Sequence, residues 1–290
     1  MSWLGLETLW IFYSGSSEIN HIRDIQYAVG CLSRAGVNLN QIVVFVLANI
    51  IPNFDSLKIK TVFDVCDFEV NFVKKNLSST HVFFTATGHG HMRGLDFILS
   101  TGQHAFVAPS QLMSIVRAIR GIEFGIVLLG QCMAGIFNFV EAKKTNEAEL
   151  CIIGATNIES SLNFWIDARY KDMHLNFFLV NFFDWCRNKV DVDGDCETWL
   201  IDAFRFAAAS SIEKLHEVKR EMMVKIEPLR QELASLELKI NSLRTPSPEH
   251  QAIDLEIAEV KSQLNLAIDL VTINQEPWML NPGLGRKIIF

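Results

Sequence analysis

Apolar residues along this chain fall into short dense runs, separated by longer stretches with helical spacing. Residues 8–13 and 42–48 are runs of strand length, rich in β-branched and aromatic side chains. Residues 80–87 and 150–155 read the same way. Ile126, Val127, Leu128 and Leu129 form an unbroken apolar run, the mark of a strand covered on both faces, as in a parallel sheet. Between these runs, residues 22–34 place Ile25, Ala28, Val29 and Leu32 on one face of a helix. Further helices are predicted at residues 62–75, at 109–120 behind Pro109-Ser110, from Met133 to about 144, at 164–187 and at 197–209. Residues 95–99 and 105–107 read as a small hairpin. Strands alternating with helices predict an α/β fold, a mostly parallel sheet flanked by helices on both faces.

The pattern changes after Ser210. A seam of Met222, Ile226, Leu229, Leu233, Leu236, Ile240 and Leu243 alternates spacings of four and three, a heptad pattern in a charged stretch. Thr245-Pro246-Ser247-Pro248 interrupts it, and Ile253, Ile257, Val260, Leu264 and Val271 resume it. An antiparallel helical hairpin is the simplest structure for this pattern. Pro228 predicts a kink or break near Lys225. The organisation expected is a core at 1–210, an inserted hairpin at 211–272, and a closing segment at 273–290 that returns to the core.

Composition narrows the class. A chain of 290 residues, half of them apolar, can bury a full core. A net charge of −7 supplies no electrostatic footprint for nucleic acid or an anionic membrane, so neither is expected as a partner. The six cysteines are scattered without paired spacing, which predicts a reducing, cytoplasmic setting. No cationic region precedes an apolar stretch at the start, so no signal peptide is expected. The apolar runs are too short or too interrupted to span a bilayer.

Two strand ends carry candidate chemistry. The run to Leu129 stops at Gly130-Gln131-Cys132, which puts a thiol at the carboxyl end of a central strand, beside an expected helix N-terminus. A helix N-terminus favours thiolate, whereas most free cysteines are small buried hydrophobes. The strand at 80–87 ends in Gly88-His89-Gly90-His91, where flanking glycines let the backbone turn sharply and leave His89 uncrowded. A Cys and a His at two strand ends form the layout of a nucleophile and its base.

The Gly88-His89-Gly90 turn, followed by the strand into Cys132-Met133-Ala134-Gly135, resembles the caspase-like superfamily of cysteine endopeptidases, which includes caspases, metacaspases and legumains. The resemblance covers roughly residues 1–209, and the interval between His89 and Cys132 suits the family. It implies a caspase-like sheet, a His89–Cys132 dyad, and an oxyanion held by backbone N–H groups of Gly90 and Cys132. It also implies a protein or peptide substrate, no cofactor, and a bacterial role in defence or programmed death. The chain departs from the family at Ala134, often a small hydroxyl residue, and at Gly130, usually Gln, Asp or Glu and part of the specificity pocket. Arg23, Asp96, Gly130, Glu159 and Asp167 are the candidate pocket residues, with Arg93 as a further cation. Gly130 removes the pocket carboxylate and adds room, so an uncharged P1 residue is expected. The alternative is an inactive caspase-like scaffold that binds partners through the hairpin. A flavodoxin-like binding module is the weakest reading.

Two other motifs carry weaker signals. Ser14-Gly15-Ser16-Ser17 follows the first strand, where phosphate loops sit, but it lacks the Walker lysine and the G-x-G-x-x-G spacing. Asp191, Asp193, Asp195 and Asp202 match the acidic spacing of a calcium loop, yet its sixth position is Cys196 rather than Gly. The segment reads as an acidic turn before a helix, and no metal is expected. Asn20, His21, Arg23 and Asp24 read as a solvated first turn or as one wall of the specificity pocket.

Overall fold

A computed structural model describes residues 3–4, 8–57, 59–99, 101–161, 163–165, 174–243 and 247–290. Its elements in order are β1 (Thr8–Ser14), α1 (Ile19–Arg34), β2 (Ile42–Val46), β3 (Thr61–Asp64), α2 (Val70–Asn76), β4 (His81–Thr87), β5 (Gly90–His91), β6 (Gly94–Ile98), β7 (His104–Val107) and α3 (Pro109–Arg117). There follow β8 (Phe124–Leu129), β9 (Glu149–Gly154), β10 (Asn163–Trp165), β11 (His174–Asn176), α4 (Phe177–Asn188), α5 (Leu200–Ser242), α6 (Pro248–Thr272) and β12 (Trp278–Leu280).

Seven of the described strands form one sheet in the order β12-β9-β8-β4-β1-β2-β3. All neighbours pair in parallel except β12, which runs antiparallel to β9. Alternate residues of each strand enter opposite cores. Trp10, Phe12, Val44, Phe83, Ile126 and Ile153 meet residues of α1, α4 and the start of α5, namely Ile25, Leu32, Phe178, Phe182 and Ala203. Ile11, Tyr13, Phe45, Phe84, Val127 and Ile152 meet Val73 of α2 with Leu112, Ile115 and Val116 of α3. The period-2 alternation of side chains explains why the runs are apolar throughout: both faces are covered. The fold is therefore α/β, a mostly parallel mixed sheet flanked by helices on both faces.

Four predicted elements differ. Residues 62–75 are not one helix: Thr61–Asp64 is the edge strand β3, paired with β2, and α2 begins only at Val70. The helix expected after Cys132 is a six-residue 3-10 stretch, Ala134–Phe139, preceded by Met133 in the left-handed region (φ 56°, ψ 24°). In residues 164–187 the antiparallel pair β10 and β11 precedes a helix that starts at Phe177. No separate helix occupies 197–209, because α5 runs unbroken from Leu200 to Ser242 through Pro228. The expected break near Lys225 is absent; a proline removes one N–H bond of the ladder, and its neighbours hold the rest of the turn.

The chain divides into two compact units, Met1–Ser211 with Gln275–Phe290, and Ile212–Asn274. In the first, β12 returns to the sheet edge, and Phe290 N–H donates to the Thr198 carbonyl. In the second, Leu236, Ile253 and Val260 are buried among Leu229, Leu233, Ile240, Leu243 and Ile257. Glu237–Lys261 and Lys239–Glu249 ion pairs join α5 to α6. Among the described residues, no helix is long and apolar enough to cross a membrane.

Candidate active site

From β1 the chain moves outward to β2 and β3, then returns to the other side of β1 as β4 and continues through β8 and β9. The direction reverses between β1 and β4, and the crevice at their carboxyl ends is where open sheets of this kind bind ligands. Glu18 and His21 follow β1 there, and His89 follows β4. Cys132 lies three residues beyond β8, the parallel neighbour of β4.

The backbones of the His89 and Cys132 turns touch. A Cβ on Gly90 would overlap the carbonyl oxygen of Cys132, so only glycine permits this approach. Gly88 adopts φ 123°, which lets the chain leave β4 sharply. The His89 ring is half-exposed: its Nε2 lies 2.9 Å from Glu18 Oε1, and its centre is 5.1 Å from that of the His21 ring, with the two planes at 82°. Cys132 is partly buried, and its Sγ accepts a hydrogen bond from the Ser161 N–H at 3.3 Å. Because the 3-10 stretch after Met133 is short, the helix-dipole support expected for a Cys132 thiolate is missing.

The six thiols are all free. Burial pushes Cys151 up to about 12 and raises Cys186 further, leaving both inert.

A buried polar network lies behind the nucleophile turn. Asn176 caps α4 by accepting the Leu179 N–H, and its side-chain amide donates to the Gly130 carbonyl at 2.7 Å and to Ser161 Oγ at 2.8 Å. Its backbone N–H donates to Asp24 Oδ1 at 2.8 Å, and Thr87 Oγ1 donates to Asp24 Oδ2 at 2.6 Å. Asn176 thus ties the ends of β4 and β8 to the Ser161 segment that touches Cys132. Sequence reasoning missed Glu18, Ser161 and Asn176. Asn176 and Ser161 carry no motif, and the wrong helix at 164–187 hid Asn176. The pair Glu18 and His21, three apart at a helix start, was the one available signal. His21 and Asp24 are buried, not solvated as the first-turn reading had it.

Burial raises the Asp24 carboxyl from 3.8 to about 7, against the hydrogen bonds from Thr87 and Asn176. Between about pH 4 and 7 the folded chain then holds a proton that the unfolded chain has released, so this group's stabilisation is lost as pH rises through that window. His21 acts in the opposite sense, since burial lowers it from 6.5 to about 4. Asp24→Asn removes the first contribution alone. The stability of the variant relative to the wild type should therefore climb from pH 4 to pH 7 by up to roughly 4 kcal/mol, read from urea unfolding. A pH-independent difference would mean that Asp24 titrates as an ordinary carboxylate.

Gln131 is 2 % exposed, and among the described residues neither polar atom of its amide has a hydrogen-bond partner. A buried unsatisfied polar group costs about 1–3 kcal/mol. Gln131→Met keeps the shape and removes both groups, so it should raise the thermal midpoint; a fall would show that the amide is satisfied in solution.

The described candidate pocket residues come from different elements, and the Asp96 N–H donates to the His89 carbonyl. Arg23 is half-buried on α1, and Asp96 on β6 pairs with His104 at 2.9 Å. Glu159 is exposed, and its carbonyl accepts the Met133 N–H. Asp167 lies outside the described residues. Gly130 adds no room: a Cβ there would meet Leu179 Cδ1 at 2.5 Å, so the space beside it is already filled. Arg93 lies over the Phe106 ring at 5.6 Å.

In the acidic turn, Asp191, Asp193 and Asp195 converge, while Asp202 is buried and accepts the N–H groups of Val192 and Trp199. Asp191 accepts N–H groups of Cys196 and Gly194, which lower its pKa, and Asp193 pairs with Arg205. The turn satisfies its own carboxylates. The chain matches no protein-family model, and no curated protein matches it.

Proposed function

We propose that the chain is a cysteine endopeptidase of caspase-like architecture, with Cys132 as nucleophile and His89 as general base. One observation carries this reading: adjacent parallel strands deliver the two residues to the same sheet edge, where their turns touch through Gly90 and the Cys132 carbonyl. The left-handed Met133 supports it, because strained backbone clusters where a side chain must be presented. The mostly parallel sheet with helices on both faces is consistent with that architecture.

His89 Nε2–H is given to Glu18, so the lone pair resides on Nδ1, the atom that takes the thiol proton. The thiolate then attacks the scissile carbonyl carbon. Backbone N–H groups of Cys132 and Gly90 receive the oxyanion, and the imidazolium returns its proton to the leaving amine. Water, deprotonated by the same imidazole, hydrolyses the thioester and frees the thiol. The helical unit at Ile212–Asn274 is an inserted hairpin in this reading.

A peptide carrying a thiol-reactive electrophile tests the proposal. It should label the wild type at one site and leave Cys132→Ala unlabelled. Labelling confined to the exposed Cys66 or Cys196 would favour the inactive, partner-binding scaffold.

A further inference from the structure

We propose that Glu18, His21 and His89 form a site for a divalent transition-metal ion, zinc foremost. Each offers one ligand atom, and the three atoms lie within 4.8 Å of one another. Glu18 is the N-cap of α1, in extended backbone, and His21 lies in the first turn of that helix, so the start of one element supplies both the carboxylate and the imidazole. His89 arrives from the turn after β4, so two separate elements close the cluster at the crevice where the strand order reverses.

The ring geometry matches such an ion. Two imidazoles on a tetrahedral zinc, bonded at about 2.0–2.1 Å, hold their ring centres about 5 Å apart and their donor nitrogens about 3.3 Å apart. The His21 and His89 ring centres are 5.1 Å apart, and Glu18 Oε1 lies 2.9 Å from His89 Nε2. The ion takes the place of the proton in the Glu18–His89 hydrogen bond and separates the two atoms by only a few tenths of an ångström. Two neutral imidazoles and one carboxylate suit zinc and its neighbours better than calcium or magnesium, which prefer oxygen. The half-exposed Glu18 and His89 side chains provide the entry path, and His21 forms the buried floor. Three protein ligands leave a fourth position for water.

The consequence for catalysis rests on the endopeptidase reading; the binding does not. Metal on Nε2 moves the ring proton to Nδ1, and His89 then has no lone pair for the Cys132 thiol. The ion would hold the enzyme off, and a chelator would release it.

The test titrates Zn²⁺, and Co²⁺ as a coloured stand-in, into the full chain carrying Cys132→Ala. One ion per chain should bind, with a cobalt spectrum free of thiolate charge transfer. Glu18→Gln, a change at a half-exposed position that leaves the fold intact, should weaken binding at least about tenfold. His21→Asn should do the same. Absence of binding, binding that needs Cys132, or binding unchanged by Glu18→Gln would each overturn the proposal. The inactive background separates the two readings: a wild type that never cleaves peptides defeats the endopeptidase and leaves the metal site standing.

Discussion

Cys132→Ala and His89→Ala should each lower kcat/KM for a cleaved peptide by at least about 10³-fold, with unchanged thermal unfolding. The nucleophile has no neighbour able to replace it: Cys151 is fully buried, and Cys66 and Cys196 lie in exposed turns elsewhere. Loss of His89 removes the base that takes the thiol proton in this mechanism. His91→Ala is the control. Its ring packs on Phe106 at 4.8 Å, and its Nδ1 accepts the Arg93 N–H, so it is occupied by the small β5-β6-β7 sheet. His104 is held by Asp96 in the same sheet. Activity that survives His89→Ala but not His91→Ala would assign the base to the wrong histidine.

Gly90→Ala should cost at least about 100-fold in cleavage and about 1–3 kcal/mol in stability. Its methyl group would overlap the Cys132 carbonyl oxygen and crowd Gln131 Cγ at 2.7 Å. Backbone, not a flexible side chain, must yield, so the two turns separate and the dyad opens. Gly30→Ala provides the contrast: the new Cβ meets only Arg34 nitrogens at 3.7–3.8 Å within α1. It should leave cleavage unchanged and add about 0.5–1 kcal/mol of stability, as Gly to Ala does inside a helix. Wild-type cleavage in Gly90→Ala would show that contact between the turns is not needed for catalysis.

Much of the sheet was legible because its signal is local. Residues 9–13, 42–48 and 126–129 are apolar at consecutive positions, as a strand buried on both faces demands, and 80–87 is dense in aromatic and β-branched residues. The helix at 22–34 was equally plain, since Ile25, Ala28, Val29 and Leu32 share one stripe. Misreadings came where one pattern serves two structures. Val62, Phe63, Phe68 and Phe72 suit a helix by spacing, but pairing with β2 makes the first two an edge strand. Phe164, Trp165, Leu175 and Phe177 have helix-like aromatic density, yet the first three pair across β10 and β11.

The sequence by itself determined the α/β class and which residues end the central strands, because apolar runs and the glycines that stop them act over a few residues. It also singled out His89 and Cys132 as chemistry at strand ends. Only the tertiary structure decided their surroundings. Strand order, which pairs β4 with β8 and with β1, brings Gly90 against Cys132 and Glu18 against His89 across 71 positions of chain. The buried Asp24–Asn176–Ser161 links and the filled space beside Gly130 likewise join segments distant in sequence. Such partners are selected by crossover topology and side-chain packing, which no local periodicity encodes.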